Sequence, residues 1–161
     1  MSNATILTIR DFIKSENARN AQNLFTCIAV CHTAIVSTKK GQNGEFICDS
    51  EDEFTLLNAV KHIGFRFIKR DFPYIYLKVF GIDLRYEFKG LLPFDSIRKI
   101  MSVIVMTDDG EWLLFAKGAD SMMLKRITGL TDQKLEKIQS KVNSFATKSL
   151  RTMVMAMRKL D

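Results

Sequence analysis

The sequence predicts an α+β domain in which helices flank an antiparallel β-sheet of about six strands. Three observations lead to this fold class. Strand-like segments with turn residues at each break follow one another between residues 65 and 117. Helical periodicity occurs before and after this region rather than between its strands. A last strand-like segment closes the chain. Helices and strands are therefore segregated along the sequence, which is typical of α+β proteins.

Two helices are predicted ahead of the sheet. The first spans Asn20–Val36, and its apolar stripe comprises Leu24, Cys27, Ile28, Cys31 and Ile35. The second begins after Ser50, and its apolar residues are Phe54, Leu57, Ala59, Val60 and Ile63. Ser50 and Glu53 form a capping-box pattern, so capping alone accounts for the acidic residues there. Residues 5–19 are predicted to form a tether or a weakly held helix, and residues 37–49 a surface loop.

Strand character begins after Gly64. The predicted strands are Phe65–Lys69, Ile75–Phe80, Leu84–Phe88, Met101–Met106 and Trp112–Lys117. Breaks are predicted at Asp71–Pro73 and Gly81–Asp83, and Thr107–Gly110 is the turn of a β-hairpin. Both strands of this hairpin are apolar on both faces, which predicts positions in the middle of a covered sheet.

Helical periodicity returns after the hairpin. We expect a short helix over Ser121–Ile127 and a longer one capped by Thr131. The buried stripe of the longer helix is predicted to be Leu135, Ile138, Val142 and Phe145. Leu150–Met157 is predicted to be the last strand. The Phe and Tyr residues of the strands lie at core spacing, so we expect them to pack rather than to stack on bases.

Composition narrows the possible functions without choosing among them. The net charge of +6 comes from 24 Lys and Arg against 18 Asp and Glu, and it suits nucleic acid, anionic lipid or a nucleotide phosphate.

Three cysteines indicate a reducing compartment. Cys27, Cys31, His32 and Cys48 could be zinc ligands, but cysteines at i,i+4 in an apolar helix behave as core residues. His32 is interpreted as a hydrogen-bonded structural histidine rather than a catalytic one. No uninterrupted apolar window of about 18 residues occurs, so no membrane span is predicted.

Polar and charged residues are concentrated at one end of the hairpin. The segment Phe94–Lys99 precedes the first strand, and Lys117–Asp120 ends the second. Pairing of the two strands brings these segments together. An aromatic ring, a hydroxyl and two or three cations then converge beside a small-residue turn, which indicates the mouth of a site for a ligand with a flat ring and a phosphate tail.

These segments resemble a known family. The run PFDSIRKIMSV at 93–103, followed by KGAD at 117–120, is similar to the nucleotide-binding (N) domain of P-type ATPases. CHT at 31–33, SEDE at 50–53, and FA at 145–146 followed by SLRT at 149–152 resemble the phospholipid-transporting (flippase) branch. The chain departs from the pattern of that branch at Glu51, Ile100 and Ser149, where the pattern has Pro, Arg and Gly.

The resemblance implies ATP contacts at seven positions: Glu53, Phe94, Ser96, Lys99, Lys117, Arg151 and Thr152. It implies that Phe94 stacks on adenine, that Glu53 accepts a hydrogen bond from the adenine amino group, and that Ser96 hydrogen-bonds the ligand. Lys117 would lie at the pocket floor, and Arg151, with its neighbour Thr152, would face the phosphates. Lys99 would add a second cation, unless it is a solvated charge at a strand end. Mg²⁺ would accompany ATP and be bound mostly outside this domain.

The resemblance also implies a larger protein. The DKTGT motif of the phosphorylated aspartate, the TGE loop and the membrane helices of the family are absent from the 161 residues. We therefore expect residues 5–161 to be a single, soluble, non-catalytic domain excised from a membrane pump. Met1–Ala4 lack the charged-then-apolar order of a signal peptide and are expected to be an expression remnant. This domain would hold ATP at the cytosolic face for an aspartate in the neighbouring phosphorylation domain. The other expected partners are the actuator domain and, for the whole protein, phospholipid.

Three alternatives stay open at this point. The chain could be the N domain of a cation-transporting P-type ATPase. It could be a basic nucleic-acid-binding module, whose affinity would fall steeply with salt. It could also be a scaffold that binds only protein, in which Phe94 and Lys117 are structural. The order of the motifs favours the flippase interpretation, without nucleic acid as a partner.

Overall fold

The computed structural model describes Asp11 and residues 18–37 and 45–161. Almost all of the tether predicted over residues 5–19, all of Met1–Ala4, and residues 38–44 of the predicted loop lie outside these ranges. Among the described residues, no helix is both long enough and apolar enough to cross a bilayer.

Helices and strands follow the predicted α+β order. In the described ranges the helices are α1 (Arg19–Val30), α2 (Glu51–Ile63), α3 (Asp120–Met123) and α4 (Asp132–Ala146). The strands are β1 (Ile35–Val36), β2 (Phe46–Ile47), β3 (Phe65–Asp71), β4 (Tyr74–Val79), β5 (Ile82–Leu92), β6 (Ile100–Met106), β7 (Trp112–Gly118) and β8 (Val154–Leu160). Strands β3 to β8 form one sheet in sequence order, and every neighbouring pair is antiparallel. The predicted fold class is confirmed.

The predicted hairpin is confirmed. Strands β6 and β7 pair from Ile100 with Gly118 to Met106 with Trp112. Gly110 has φ +82°, the left-handed conformation that glycine adopts without steric cost. Both strands are interior, because β5 and β8 pair with their outer edges. The predicted break at Gly81–Asp83 is shorter than expected, since β5 already begins at Ile82.

The sheet has a core on each face. The larger core lies under α1 and α2 and includes Leu57, Phe67, Val103 and Phe115, all nearly inaccessible to solvent. The smaller core lies on the other face and consists of Ile100, Met123, Val142 and Val154. Alternation along β6 explains this division, because Met101, Val103 and Val105 point to one face and Ile100 and Ser102 to the other.

The prediction for the first helix is partly wrong. Helix α1 ends at Val30 rather than Val36, and Ile35 lies in β1, which pairs with β2 inside the predicted 37–49 loop. Leu24 and Ile35 are 42% and 58% exposed instead of buried. Helix α1 contacts α2, β3, β7 and β8. Its four last residues, 27–30, are all buried, so its burial does not follow a single stripe.

The second helix begins as predicted, although its capping box is incomplete. Ser50 is the N-cap, and its hydroxyl accepts a hydrogen bond from the Glu53 N–H at 3.4 Å. The Glu53 carboxylate does not return to Ser50 but turns into the protein. The buried side of the helix is therefore Glu53, Leu57, Val60 and Ile63, whereas Phe54 and Ala59 are exposed.

Predictions for the last third are correct in type but not in extent. Helix α3 ends at Met123 rather than Ile127, and β8 runs from Val154 to Leu160 rather than from Leu150 to Met157. Thr131 caps α4 as predicted. Of the predicted stripe of α4 only Val142 is buried, and Phe145 is 47% exposed, because this helix covers only one end of the sheet face.

Candidate functional site

A buried ion pair links α2 to β7. Lys117 Nζ lies 2.9 Å from Glu53 Oε1, and each residue is only 7% exposed. Glu53 Oε2 accepts hydrogen bonds from the backbone N–H and the hydroxyl of Thr33, at 3.1 and 3.0 Å. Burial alone would raise the pKa of Glu53, but the hydrogen bond and charge of Lys117, together with the Thr33 donors, hold it below its ordinary value. Glu53 is therefore an ionised carboxylate at neutral pH.

The strand that carries Lys117 ends in a close backbone approach. A Cβ on Gly118 would lie 2.8 Å from Ile100 Cγ1 and 2.9 Å from Ile100 Cα, and it would also collide with the carbonyl oxygen of Lys99. The N–H of Ala119 donates to that same carbonyl at 3.0 Å. The two ends of the hairpin therefore meet, as predicted, and the contact leaves no room for a side chain at position 118.

The loop between β5 and β6 is held by its own polar groups. Asp95 Oδ1 accepts from the backbone N–H groups of Ile97 and Arg98 at 2.9 and 2.6 Å. The Arg98 guanidinium donates to the carbonyl oxygens of Leu92 and Pro93 at 2.9 and 2.7 Å. These bonds order the loop without using the ring of Phe94, which is 61% exposed and free to meet a ligand.

Asp95 and Arg98 therefore fix the conformation of this loop, and neither was among the predicted ATP-binding residues. The signal was present, because an aspartate followed two residues later by backbone donors is a common turn pattern. Lys99, at the end of this loop, has φ +53°, a conformation that is rare outside glycine. The loop thus closes through a strained residue at a predicted binding position.

Arg151 lies against the start of α2. Its Nη2 is 2.9 Å from Asp52 Oδ2, although the Arg151 side chain is 84% exposed. Asp52 precedes Glu53, so the segment before β8 is brought next to the helix that carries the buried carboxylate. Thr152 is half-buried beside Arg151. An exposed guanidinium with one acidic partner can still reach a phosphate.

Strand register places the predicted residues at one end of the sheet. Leu92 pairs with Ser102, Ile100 with Gly118, and Gly118 with Val154, so β5 ends where β6 begins, β7 ends and β8 begins. The structure brings Glu53 and Lys117 into contact in the interior. Phe94, Ser96, Lys99 and Arg151 are exposed at the same end of the sheet.

Two surface cavities border this region, lined by Phe54 next to Glu53 and by Arg98 next to Lys99. One, of about 340 Å³, is beside β2 and the start of α2, and includes Phe46, Ser50 and Phe54. The other, of about 500 Å³, is on the opposite face of the sheet from Lys117, between Ser102 and Arg126. None of the seven predicted ATP-binding residues lines either cavity. The end of the sheet where they gather is an open surface, as the exposure of Phe94 and Arg151 shows.

The cysteines and the histidine that were considered as zinc ligands have structural contacts instead. Cys27 and Cys31 are buried, and their Sγ atoms face the carbonyl oxygens of Ala116 and Met101 at 3.8 and 3.7 Å. His32 is also buried, and its Nε2 lies 2.9 Å from the carbonyl oxygen of Ala29, as expected for a structural histidine. In the ranges that the structure describes, no group of three His, Cys, Asp or Glu residues could hold a metal ion.

Comparison with known proteins identifies the family of the chain. Residues 20–161 match the family described as P-type ATPase, cytoplasmic domain N. Phospholipid-transporting ATPase 10 of Arabidopsis thaliana is 37% identical over 158 residues, which cover 94% of this chain and 13% of that protein. Human phospholipid-transporting ATPase IC is 33% identical over 149 residues, which cover 92% of this chain and 12% of that protein. The chain thus spans about 13% of the length of the first of these curated relatives.

Proposed function

The chain belongs to the family of P-type ATPase cytoplasmic N domains, and we propose that it binds ATP for a phospholipid-transporting pump. The curated relatives that it matches are named phospholipid-transporting ATPases, from Arabidopsis thaliana and from human. The activity of the whole pump, its lipid substrate and the cytosolic face of its membrane are parts of the same proposal.

The observation that carries the proposal is the buried Glu53–Lys117 pair beside Gly118. A lysine with so little exposure keeps its charge at a defined point, because the carboxylate compensates it and Thr33 holds the carboxylate. Next to it, the buried backbone at Gly118 packs tightly against Lys99 and Ile100, which fixes the end of the strand that carries Lys117. A cation and a carboxylate held in fixed positions suit the polar edge of a nucleotide base.

The remaining residues have complementary roles in this proposal. The exposed ring of Phe94 stacks on adenine, which is worth about 1 to 3 kcal/mol per base. Glu53 Oε1 has one acceptor site left for a hydrogen bond from the adenine amino group, because each carboxylate oxygen can accept twice, Oε2 already accepts twice from Thr33, and Oε1 accepts once from Lys117. Ser96 hydrogen-bonds the ligand, and Arg151, assisted by Lys99 and Thr152, faces the phosphates with a planar fork.

Phosphoryl transfer requires groups that this chain does not supply. We propose that the domain positions the γ-phosphate for an aspartate in a neighbouring phosphorylation domain and that the actuator domain completes the cycle. Mg²⁺ would accompany the nucleotide and be held mostly by that neighbour, since Mg²⁺ binds through a few carboxylates and substrate phosphates. The phosphoryl group that is transferred comes from ATP.

Affinity of the separate domain is expected to be weak. Without the phosphate contacts of the neighbouring domain, we expect a Kd in the high micromolar to millimolar range, or about 4 to 6 kcal/mol. An NMR titration of the chain with ATP tests this. Saturable amide shifts are expected around Glu53, Phe94, Lys117 and Arg151.

Two variants of one loop make the titration specific. Phe94→Ala should weaken ATP binding about tenfold to a hundredfold, because stacking is lost. Ile97→Ala is the matched control, since Ile97 is 88% exposed in the same loop and has no proposed role. Equal effects of both variants, no saturable response to ATP, or robust ATP hydrolysis by this chain alone would each contradict the proposal.

A titration with a short single-stranded oligonucleotide separates the nucleic-acid alternative. Shifts that spread over the basic surface and disappear with added salt would favour that class of function over ATP binding. Binding of ATP that survives Phe94→Ala and a change of Lys117 would favour a site elsewhere on the domain.

A further inference from the structure

One peptide group lies between two opposite charges next to the proposed ATP site. The carbonyl oxygen of His32 accepts a hydrogen bond from Arg70 Nη2 at 2.8 Å. The N–H of the same peptide group, that of Thr33, donates to Glu53 Oε2 at 3.1 Å. Its negative end therefore faces a guanidinium and its positive end faces a carboxylate, so both charges favour the observed orientation.

We propose that Arg70, on β3, is a positioning residue for Glu53 and, through it, for Lys117. The chain of contacts runs from Arg70 through the His32–Thr33 peptide to Glu53 and then to Lys117. The inference rests on the proposed ATP site for its functional meaning. Its structural part, the control of Glu53 by Arg70, stands without a nucleotide.

The His32–Thr33 peptide group lies in the connection between α1 and β1. The last hydrogen bond of α1 is the cap from the Cys31 N–H to the Cys27 carbonyl, and β1 does not begin until Ile35. The His32–Thr33 peptide therefore belongs to neither a helix nor a strand. Its orientation depends on the two side chains that bond it, which explains how a strand residue can affect the site.

The Arg70 guanidinium is held beside the peptide by partial burial and by an aromatic ring. The residue is half-buried, and its Cζ lies 5.6 Å from the centroid of the Phe88 ring. Burial lowers the pKa of Arg70, and the negative charge of Glu53 opposes that change, so the two groups interact electrostatically. The directional fork of arginine suits a carbonyl acceptor, whereas a lysine ammonium would supply the charge without the same geometry.

The ring of His32 holds the peptide from a third direction. It packs edge-on against Phe67, with 4.4 Å between ring centroids, and its Nε2 meets the Ala29 carbonyl. Thr33 adds its hydroxyl to the same carboxylate oxygen. The Cys-His-Thr segment thus has a physical role in the site although none of its side chains was predicted to touch ATP.

The first test measures Glu53 directly and needs no nucleotide. The carboxyl pKa of Glu53 is followed by carbon-detected NMR in the unmodified chain and in Arg70→Met, which keeps most of the stem but removes the charge and donors. We expect the pKa of Glu53 to rise toward its ordinary value in Arg70→Met. Arg70→Lys should restore only part of the difference.

Arg66→Met is the matched control, because Arg66 is an exposed arginine on the same strand. It removes an equal charge without touching the peptide. A pKa of Glu53 that is the same in Arg70→Met and Arg66→Met, and unchanged from the unmodified chain, would overturn the inference. If Arg70→Met does not fold, Arg70→Lys carries the same comparison.

The second test links Arg70 to the nucleotide. ATP affinity should fall about two- to thirtyfold in Arg70→Met, the range for changes transmitted through packed contacts, and should not fall in Arg66→Met. Undiminished ATP affinity in a variant whose Glu53 pKa has shifted would overturn the link to binding. Failure of the unmodified chain to bind ATP would instead contradict the proposed function, while the Glu53 measurement would still decide the role of Arg70.

Discussion

Lys117 Nζ donates a hydrogen bond to Glu53 Oε1 at 2.9 Å, and this contact joins the end of β7 to the first turn of α2 in the interior of the protein. Two buried charges of opposite sign stabilise each other, and the loss of either one leaves the other without compensation. The same contact is the centre of the proposed ATP site, so we expect this pair to affect both the stability of the fold and the binding of ATP.

Removing one partner of this pair should be costly. Glu53→Gln and Lys117→Met should each lower the free energy of unfolding by about 3 to 5 kcal/mol, because a buried charge loses its partner. The double variant should be destabilised by clearly less than the sum. Urea denaturation of all four proteins measures the difference, and simple additivity would show that the pair is not coupled.

Gly118 should not tolerate a side chain. In Gly118→Ala, the new Cβ would collide with backbone atoms of Lys99 and Ile100, so we expect a loss of about 1 to 3 kcal/mol. Gly90→Ala is the control, since nothing lies within 4 Å of a Cβ built there. Thermal unfolding should separate the two variants, and equal melting temperatures would contradict the close approach.

Ser149 stands where a glycine would be more stable. Its φ is +58°, and the bonds from Ser149 N–H to the Ala146 carbonyl and from Leu150 N–H to the Phe145 carbonyl form a Schellman motif. Ser149→Gly should raise the free energy of unfolding by about 1 kcal/mol, because glycine adopts this conformation without steric cost. Ser140→Gly, at an exposed position inside α4, should instead lower it, since glycine is unfavourable in a helix interior. Chemical denaturation compares the two, and destabilisation by Ser149→Gly would refute the assignment.

His32 should make stability depend on pH. Burial, followed by the charge of Arg70, lowers the pKa of His32 from 6.5 to about 4. The unfolded chain binds a proton at His32 more readily than the folded one, so stability should fall as the pH drops from about 6.5 to about 4. The decrease amounts to roughly 3 kcal/mol at 1.36 kcal/mol per pKa unit.

A variant of the buried histidine checks this dependence. His32→Gln should flatten the stability profile between about pH 4 and pH 6.5. Glu53 acts in a lower range, because its depressed pKa means that its contribution is lost as the pH falls below its ordinary value and through the folded one. A profile that His32→Gln does not change would contradict the buried neutral imidazole.

Asp52 should compete with ATP for Arg151. The pair is exposed, so Asp52→Asn should change the free energy of unfolding by less than about 1 kcal/mol. The same change frees the guanidinium and removes a negative charge near the proposed phosphate site, so ATP should bind about two- to fivefold more tightly at low salt. Asp109→Asn, at the far end of the hairpin, removes the same charge as a control. An equal gain in both variants, measured by titration, would refute a local effect.

Local patterns in the sequence were sufficient for most of the fold. The hairpin from Met101 to Lys117 was predictable because its strands are apolar and its turn contains Gly110. The N-terminal starts of α2 and α4 were predictable because Ser50 and Thr131 accept hydrogen bonds from N–H groups three residues later. The motifs near Phe94, Lys117 and Arg151 could be placed at one end of the sheet, since antiparallel pairing determines which segments meet.

Only the tertiary structure decided what those segments contact. The sequence could not show that Glu53 turns away from its own helix cap toward Lys117, that α1 ends at Val30, or that Arg70 bonds the His32 carbonyl. Turns, caps and strand alternation depend on neighbours within a few residues, so a sequence by itself determines them. Other features depend on groups that folding brings from distant parts of the chain, and these include the burial of a charge and the end of an enclosed helix. Local preferences yield to such contacts because an unpaired buried charge costs more free energy than a lost cap.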